Sequence, residues 1–287
     1  MLLLAGSVPV KDLPLLIGPI EITPHGIKMD GHVLEVNRGN EAMMTAAALI
    51  CKEYKLDKPV GMVAGDTGNR AGSEAIYKYL AKNLPDMGAD VVTLHYVMPD
   101  INLNKKVLAT IDTMEKKPVM IADAGTMYVA KAGGDASYYD VFTPDIGEMA
   151  FLADDKADHP AFTRGFIFDL EEDVPALIEK AYAANNVPAT MFVKGATDYI
   201  CLNGEIVETI SEPCVETMEP IGGTGDLITG MISALIYAGK SPLDACRIAG
   251  RVNRQAGVLS QPTPATQIEE ILQFLPQALH EVLEQLG

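Results

Sequence analysis

Short apolar segments alternate with amphipathic segments through most of this chain, and the alternation predicts its architecture. Apolar segments that end in glycine or a polar residue are typical of strands, whereas apolar residues at helical spacing are typical of helices. The predicted strands are 59–65, 90–97, 117–123, 139–143 and 189–194. The predicted helices are 41–54, 71–84, 101–114, 145–153 and 171–185. This order predicts an α/β protein in which a mostly parallel central sheet has helices on both faces.

The two ends of the chain depart from this alternation. Residues 198–202 and 205–210 flank Asn203-Gly204, a dipeptide that strongly favours a tight hairpin. Three further helices are predicted near 227–239, 242–259 and 266–285. At the start, residues 1–4 are apolar and predict a first strand or a loose arm. No repeat or linker interrupts the sequence, so we expect one domain over residues 1–287.

Charge narrows the classes of ligand that this protein can bind. The formal net charge is -17, the isoelectric point is about 4.6, and the sequence contains no basic run. Because nucleic acid binding depends on patches of Lys and Arg, nucleic acid is not an expected partner. A nucleotide would be repelled as well, so a nucleotide site here needs backbone amides, a lysine or a divalent cation.

Cysteine spacing and hydropathy exclude two further classes. The four cysteines are far apart and form no C-x-x-C pair, which argues against a zinc site and a disulfide framework. No run reaches the ~18 apolar residues of a membrane helix, and the start lacks the basic segment of a signal peptide. We therefore expect a cytoplasmic protein with reduced thiols and no membrane contact.

The sequence Gly222-Gly223-Thr224-Gly225-Asp226 precedes an apolar stretch with helical character and is the most informative motif. Glycines let a phosphate approach the backbone, and a helix that begins here directs free amides at an anion. A carboxylate in this position costs energy unless it has a role. One role is to take a proton from a hydroxyl that attacks a phosphoryl group. The alternative is an ordinary glycine turn with Asp226 near an N-cap.

Polar and glycine residues also follow the predicted strands. They are Gly65-Asp66-Thr67-Gly68-Asn69, Asp123, Thr143-Pro144-Asp145 and Lys194-Gly195. In open parallel sheets ligands bind beyond the carboxyl ends of the strands, so these segments predict a small-molecule site. The sequence contains neither the G-x-G-x-x-G dinucleotide motif after its first predicted strand nor the G-x-x-x-x-G-K-[ST] motif, which excludes a Walker-type ATPase.

Three segments have two interpretations each. Asp145 and Glu148 have the spacing of a capping box, which is the favoured reading, but Glu148 can also direct a hydrated Mg²⁺ at a phosphate site. Lys194 can pair with a phosphate or lie in solvent at a strand end. Residues 37–40 can form an additional substrate element ahead of the helix 41–54, although a simple N-capped surface helix is favoured.

Several motifs together resemble the ribokinase-like superfamily. They are Gly222–Gly230, Thr143–Glu148, Val193-Lys194-Gly195 and Ile121–Ala124. Within that superfamily the chain resembles the nucleotide-dependent NAD(P)H-hydrate dehydratases of the YjeF C-terminal type. The order and spacing agree over roughly residues 60–260, and residues 63–68 resemble the glycine-rich loop after that family's first strand. Residues 1–58 match poorly.

The resemblance implies a ribokinase-like three-layer α/β/α sandwich and an ATP- or ADP-dependent reaction with Mg²⁺. In that family the nucleotide phosphorylates the hydroxyl of a hydrated nicotinamide ring, and loss of phosphate restores NADH or NADPH. Asp226 would be the catalytic base, and Glu148 would hold the metal through water. The anion hole would consist of Gly223, Thr224 and Gly225.

Further site residues follow from the same resemblance. Nucleotide-binding residues would be Lys194, Gly195 and Asn253. Substrate-binding residues would be Gly65, Asp66, Gly68, Asn69, Asp123 and Asp145. Related dehydratases form homo-oligomers, so the resemblance also implies a homo-oligomer.

Three positions depart from the family pattern. Asp145 and Asn253 stand where the family has histidines, and residues 96–100 stand where it has a Gly-Pro-Gly-rich loop. These changes lie more on the substrate side than on the phosphate side. Two alternatives therefore stay open: a kinase of a small alcohol such as a sugar or a hydroxymethyl-pyrimidine, and a nucleotide-binding protein without catalysis.

Overall fold

The computed structural model describes residues 1–157 and 174–287. The strands are Leu2–Val8 (β1), Leu16–Pro19 (β2), Glu21–Thr23 (β3), Gly26–Met29 (β4), His32–Leu34 (β5), Val60–Gly65 (β6), Val91–His95 (β7), Val119–Ala122 (β8), Val141–Phe142 (β9), Thr190–Val193 (β10), Asp198–Leu202 (β11) and Glu205–Ile210 (β12). The helices are Gly39–Glu53 (α1), Ala71–Met87 (α2), Ile101–Asp112 (α3), Gly125–Gly133 (α4), Ile146–Ala153 (α5), Val174–Ala183 (α6), Thr224–Tyr237 (α7), Pro242–Ser260 (α8), Ile268–Leu272 (α9) and Leu275–Leu286 (α10).

The main sheet has the strand order β12-β11-β10-β9-β8-β7-β1-β6-β2. From β6 to β10 neighbouring strands are parallel, whereas β2 at one edge and the β11–β12 hairpin at the other are antiparallel. The predicted mostly parallel sheet is therefore confirmed. The start of the chain is a central strand and not a loose arm, because Leu4 of β1 lies opposite both Gly61 and Thr93.

The sheet separates two hydrophobic cores, as the three-layer prediction requires. Successive side chains of a strand point to opposite faces, so Leu2 and Leu4 pack with α1 and α7–α10 while Leu3 and Ala5 pack with α2–α6. Both faces of β1 are therefore buried, which explains why its sequence is apolar without alternation.

Helices α1 and α7 are packed against each other unusually closely at a glycine. A Cβ atom added to Gly230 would lie 2.1 Å from the carbonyl oxygen of Met43, so only glycine fits at this contact. One turn earlier on each helix, the backbone N–H of Gly39 donates to the carboxylate of Asp226. The two helices therefore run side by side with their N-termini at the same end.

The N-terminal region and the fourth helix were not predicted. Residues 16–34 form β2 and the three-stranded sheet β3-β4-β5, and residues 125–133 form α4. Gly125 and Gly133 lie at the two ends of α4, so the short segment between them has few apolar positions that could show a helical period. The hairpin is confirmed, since Asn203 and Gly204 both have the positive φ angles of its tight turn.

Two predicted elements have different bounds in the structure. The helix predicted over 266–285 is two helices, because Pro276 lies in the first turn of α10 and cannot continue α9. The strand predicted at 139–143 is reduced to Val141–Phe142 and follows a 3₁₀ turn at 136–138. The start of the helix predicted at 171–185 lies outside the described residues, while Val174–Ala183 is helical as expected.

Among the described residues, no helix combines the length and the apolar character needed to cross a membrane.

Gly230→Ala is expected to destabilise the protein, because its methyl group would force α7 away from Met43. We expect the free energy of unfolding to fall by about 1–3 kcal/mol, the usual cost of overpacking a core. Gly18→Ala is the matched control, since its Cβ would meet only the amide nitrogen of Asp30, at 3.6 Å. Equal denaturation midpoints for the two variants would contradict the close helix contact.

Candidate active site

Side chains from several elements meet at the carboxyl edge of the parallel sheet. His95 is the last residue of β7, Asp123 follows β8, and Lys194 follows β10. Asp226 is the third residue of α7, whose N-terminus lies at the same edge. The strand order brings these positions together although they are up to 131 residues apart (226 minus 95).

These four side chains form one chain of ionic and hydrogen-bonded contacts. The ammonium group of Lys194 is 3.0 Å from each carboxylate oxygen of Asp123. The Nε2 atom of His95 lies 3.5 Å from Asp123 and 3.0 Å from Asp226. The other oxygen of Asp226 accepts the N–H of Gly39 at 2.7 Å. Asp226 therefore caps α1, a helix to which it does not belong.

Neutral groups complete the coordination of Asp123. Its carboxylate accepts the hydroxyl of Thr229 at 2.6 Å and the N–H of Ala124 at 2.8 Å. The hydroxyl of Thr143 lies 2.9 Å from that of Thr229. With these partners and Lys194, a carboxylate with a 1% exposed side chain is held in one orientation.

Burial and neighbouring charges have opposite effects on the pKa values of Asp123 and Lys194. Burial alone would raise the pKa of Asp123, but the charges of Lys194 and His95 and the Thr229 hydroxyl outweigh it and hold this pKa below its ordinary value. Burial would likewise lower the pKa of Lys194, but the surrounding carboxylates raise it above its ordinary value. Both groups are therefore charged in the neutral pH range.

Glu41 provides a further carboxylate near Asp226. Burial, and then the charge of Asp226, raise the pKa of Glu41 to about 7. Glu41 belongs to the first turn of α1.

The segment 37–40 was favoured as the start of a simple N-capped surface helix, and this interpretation is wrong. The N-cap residue Arg38 makes no side-chain cap, and most of α1 is buried.

The loop at 222–225 has the geometry of an anion site. The first intrahelical bond of α7 is donated by Leu227, and the N–H groups of Thr224 and Gly225 have no hydrogen-bond partner within the described residues. Gly223 has a φ of +104°, and an added Cβ would lie 2.9 Å from Ile268. A Cβ on Gly225 would lie 3.2 Å from the side chain of Lys194. The structure thus places free amides and an ammonium group side by side.

Asp145 and Glu148 form the capping box that the sequence favours. Each accepts the backbone N–H of the other at 2.8 Å. Within residues 1–157 and 174–287, the remaining oxygen of Glu148 makes one hydrogen-bond contact, at 3.4 Å with the hydroxyl of Tyr128. The two carboxylates are hard oxygen donors of the kind that Mg²⁺ prefers, and the cap leaves acceptor positions open toward water. These residues therefore fit a magnesium ion held through water.

Electrostatics favours a cation at Glu148 over one at the buried cluster. Burial, and then the charge of Asp123, raise the pKa of Glu148 to about 8, so a cation bound there would stabilise its charged form. His95, Asp123 and Asp226 also bring possible ligand atoms within 4.8 Å of one another. In that cluster, however, Lys194 already neutralises Asp123.

The loop after β6 uses its polar atoms internally. Asp66 accepts the N–H groups of Gly68, Arg70 and Ser73 and the hydroxyl of Ser73, and Asn69 accepts the N–H of Ala71. Among the described residues, no hydrogen bond joins this loop to Asp123 or Asp226. A substrate role for Gly65, Asp66, Gly68 and Asn69 therefore stays a prediction.

The nucleotide-side candidates lie around α8. Gly195 is fixed from both sides, since its N–H donates to Asp198 and its carbonyl accepts the guanidinium of Arg254. Arg254 also pairs with Asp198 at 2.9 Å. The adjacent Asn253 has a buried amide oxygen without a hydrogen-bond partner in the described part of the chain. The side chain of Asn253 thus has an acceptor to offer, although its role is untested.

Sequence reasoning missed several members of this site. His95, Glu41, Thr229 and Arg254 were not singled out. Only His95 carried a recognisable signal, because it is a polar residue near the carboxyl end of the strand predicted at 90–97. Thr229 and Arg254 lie inside helices, where no pattern in one sequence separates them from other polar residues.

A match to a family model identifies the family of the chain, which the geometry of the site alone does not. The carbohydrate-kinase model described as NAD(P)H-hydrate dehydratase matches residues 74–277, which include His95, Asp123, Lys194 and Asp226. This chain belongs to the NAD(P)H-hydrate dehydratase family. The resemblance noted from the motifs is therefore confirmed.

Two relatives of this dehydratase-family chain differ in how much they share with it. An uncharacterized protein of Methanocaldococcus jannaschii is 40% identical over 243 residues, which are 84% of this chain and 100% of that protein. The bifunctional NAD(P)H-hydrate repair enzyme Nnr of Pyrobaculum aerophilum is 30% identical over 141 residues. That match covers 49% of this chain but only 25% of the larger repair enzyme.

A solved structure extends the likeness to the fold. The pyridoxal kinase of Staphylococcus aureus, solved with AMP-PCP and pyridoxal, superposes with a TM-score of 0.51 at 14% identity. The match covers 89% of this chain and 88% of the kinase. The dehydratase-family chain therefore has the ribokinase-like fold, as expected from its motifs.

Lys194→Met is expected to leave the buried carboxylate of Asp123 without its cation. Breaking a buried ion pair from one side typically lowers the free energy of unfolding by about 3–5 kcal/mol. The double variant Lys194→Met/Asp123→Asn should recover part of this loss in chemical denaturation. Lys117→Met, which breaks an exposed pair with Asp112, is the control and should have little effect. A double variant less stable than Lys194→Met would refute charge pairing.

Proposed function

We propose that this enzyme of the NAD(P)H-hydrate dehydratase family dehydrates hydrated NADH or NADPH with ATP or ADP as phosphoryl donor. The observation that carries the proposal is the position of Asp226. Its carboxylate lies in the first turn of α7, beside the free amides of the loop 222–225. A base and an anion site in contact are what phosphoryl transfer to a hydroxyl requires.

In the first step the ring hydroxyl attacks the terminal phosphorus of the nucleotide. The new O–P bond forms as the P–O bond to the leaving nucleotide breaks, and Asp226 takes the hydroxyl proton. In the second step the C–O bond to the phosphate breaks, a proton leaves the neighbouring ring carbon, and the ring double bond is restored. Inorganic phosphate and NADH or NADPH are the products.

The protein supplies orientation and positive potential for these steps. His95 and the N–H of Gly39 each hold one oxygen of Asp226, which fixes the direction of its lone pairs. The amides of Gly223, Thr224 and Gly225 would bind the transferred phosphoryl group, with Lys194 beside them. Positioning of this kind accounts for most catalysis in phosphoryl transfer.

Magnesium belongs to the proposal through Glu148 and Asp145. When bound, the ion would neutralise phosphate charge in a protein whose net charge is -17. Glu148 would hold it through water, since one carboxylate oxygen remains engaged in the capping box. The nucleotide itself would lie between Lys194, Gly195 and Asn253.

Three features of the proposal do not concern catalysis. Residues 1–287 would form one domain, which is supported by the central place of β1 in the sheet. The protein would be cytoplasmic and form a homo-oligomer. Sedimentation of the purified protein measures the last of these directly.

Asp226→Asn is expected to lower turnover by about 10²–10⁴-fold, because the amide cannot accept the hydroxyl proton. The amide oxygen can still accept the N–H of Gly39, so nucleotide affinity should be kept. Turnover is measured as the rise of the reduced-nicotinamide absorbance with hydrated NADH, Mg²⁺ and either ATP or ADP. Asp244→Asn is the matched control, since Asp244 occupies the third position of α8.

The same assay separates the alternatives. Release of phosphate equal to the NADH formed, with no phosphorylated product, identifies the dehydratase. A stable phosphorylated alcohol would identify a kinase instead. Loss of less than threefold in the Asp226→Asn variant would exclude Asp226 as the base.

A further inference from the structure

Tyr96 is the first residue after β7 and has a strained backbone. Its φ is +52°, in the left-handed region that a bulky side chain rarely adopts. Such a conformation costs on the order of 1–3 kcal/mol and persists only where the surroundings impose it. Glycine would relieve that cost, since it adopts positive φ angles without strain. A role of the tyrosine side chain would explain why a tyrosine is present at this position.

The ring of Tyr96 is exposed at the mouth of the active site. It is 47% exposed although its neighbours His95 and Gly39 are buried. The rings of Tyr96 and His95 are tilted with their centres 4.1 Å apart. A Cβ added to Gly39 would lie 3.5 Å from the tyrosine ring. His95 and the N–H of Gly39 contact the carboxylate of Asp226. The ring of Tyr96 therefore lies next to the residues that position the proposed base.

The phenol group keeps its proton and has no partner inside the protein. Burial, and then the charges of Asp226 and Asp123, raise the pKa of Tyr96 above its ordinary value. Within the described residues its hydroxyl makes no hydrogen bond, whereas its backbone carbonyl accepts the hydroxyl of Ser7 at 2.5 Å. The backbone is thus anchored, and the side chain is half exposed while its phenol group lies near the carboxylates of the site.

We propose that Tyr96 is the residue on which the planar ring system of the substrate stacks, which places the ring hydroxyl over Asp226. The assignment rests on the proposed function for the identity of that ring.

Three substitutions of Tyr96 separate a binding role from a structural one. Tyr96→Phe keeps the aromatic face and should change the KM for hydrated NADH by less than about threefold. Tyr96→Leu and Tyr96→Gly remove it and should raise this KM about tenfold, the usual effect of losing one stacking contact. The KM for the nucleotide should not change. Glycine is unstrained at this φ, so Tyr96→Gly should melt at a higher temperature than Tyr96→Leu despite equally weak binding.

Tyr96→Trp gives a readout that does not depend on turnover. The chain contains no tryptophan, so the variant carries a single one, whose fluorescence can be excited apart from that of the tyrosines. In the Asp226→Asn background, with ADP present, hydrated NADH should quench this fluorescence saturably. Tyr138→Trp is the matched control, because Tyr138 is 44% exposed and hydrogen-bonded to Asp112 outside the site. The control should show no saturable quenching.

The outcomes distinguish this inference from the proposed function. Saturable quenching without turnover in the wild-type enzyme would support stacking and refute the dehydratase reaction. Turnover without quenching at position 96 would refute stacking alone. A KM that follows melting temperature through the Phe, Gly and Leu variants would show a structural role, and would also overturn the inference.

Discussion

The pairing of buried charges at the carboxyl edge of the sheet is the constraint on which the site depends. Two carboxylates, an ammonium group and an imidazole are packed together where water is largely excluded, and each would be costly alone. Each is held because its neighbour compensates it. The four groups come from the ends of β7, β8 and β10 and from α7, so the compensation exists only when the whole edge is assembled.

The sequence alone does not explain why the carboxylate of Asp226 lies at an anion site. The contact of Asp226 with helix α1 does explain it. Asp226 was interpreted either as part of a cap or as a catalytic base. It accepts the first N–H of α1 and so is a cap, but for a helix 187 residues earlier in the chain. The close contact at Gly230 places the two helix N-termini side by side, and their combined positive potential favours the negative charge.

Local patterns predicted the elements with strong periodicity, and they predicted the class of site. The alternation of strands and helices, the Asn203-Gly204 hairpin and the capping box at Asp145 were all predicted correctly. What failed at the site depended on contacts between distant segments. The role of His95 follows from the adjacency of β7 and β8, and Asp123 and Lys194 lie on strands separated in the sheet by β9. A single sequence contains the residue types but not the strand order that joins them.

The place of β1 has a consequence for the order in which the protein can be built during synthesis. β1 pairs with β6 and β7, so the end of the sheet formed by β7-β1-β6-β2 is complete once about the first hundred residues have emerged. The charged edge is different, because Lys194 and Asp226 are made much later. Until α7 docks, the first N–H of α1 lacks its carboxylate partner, Asp226. A chain interrupted before residue 226 can therefore form much of the sheet yet lacks the carboxylate proposed as the catalytic base.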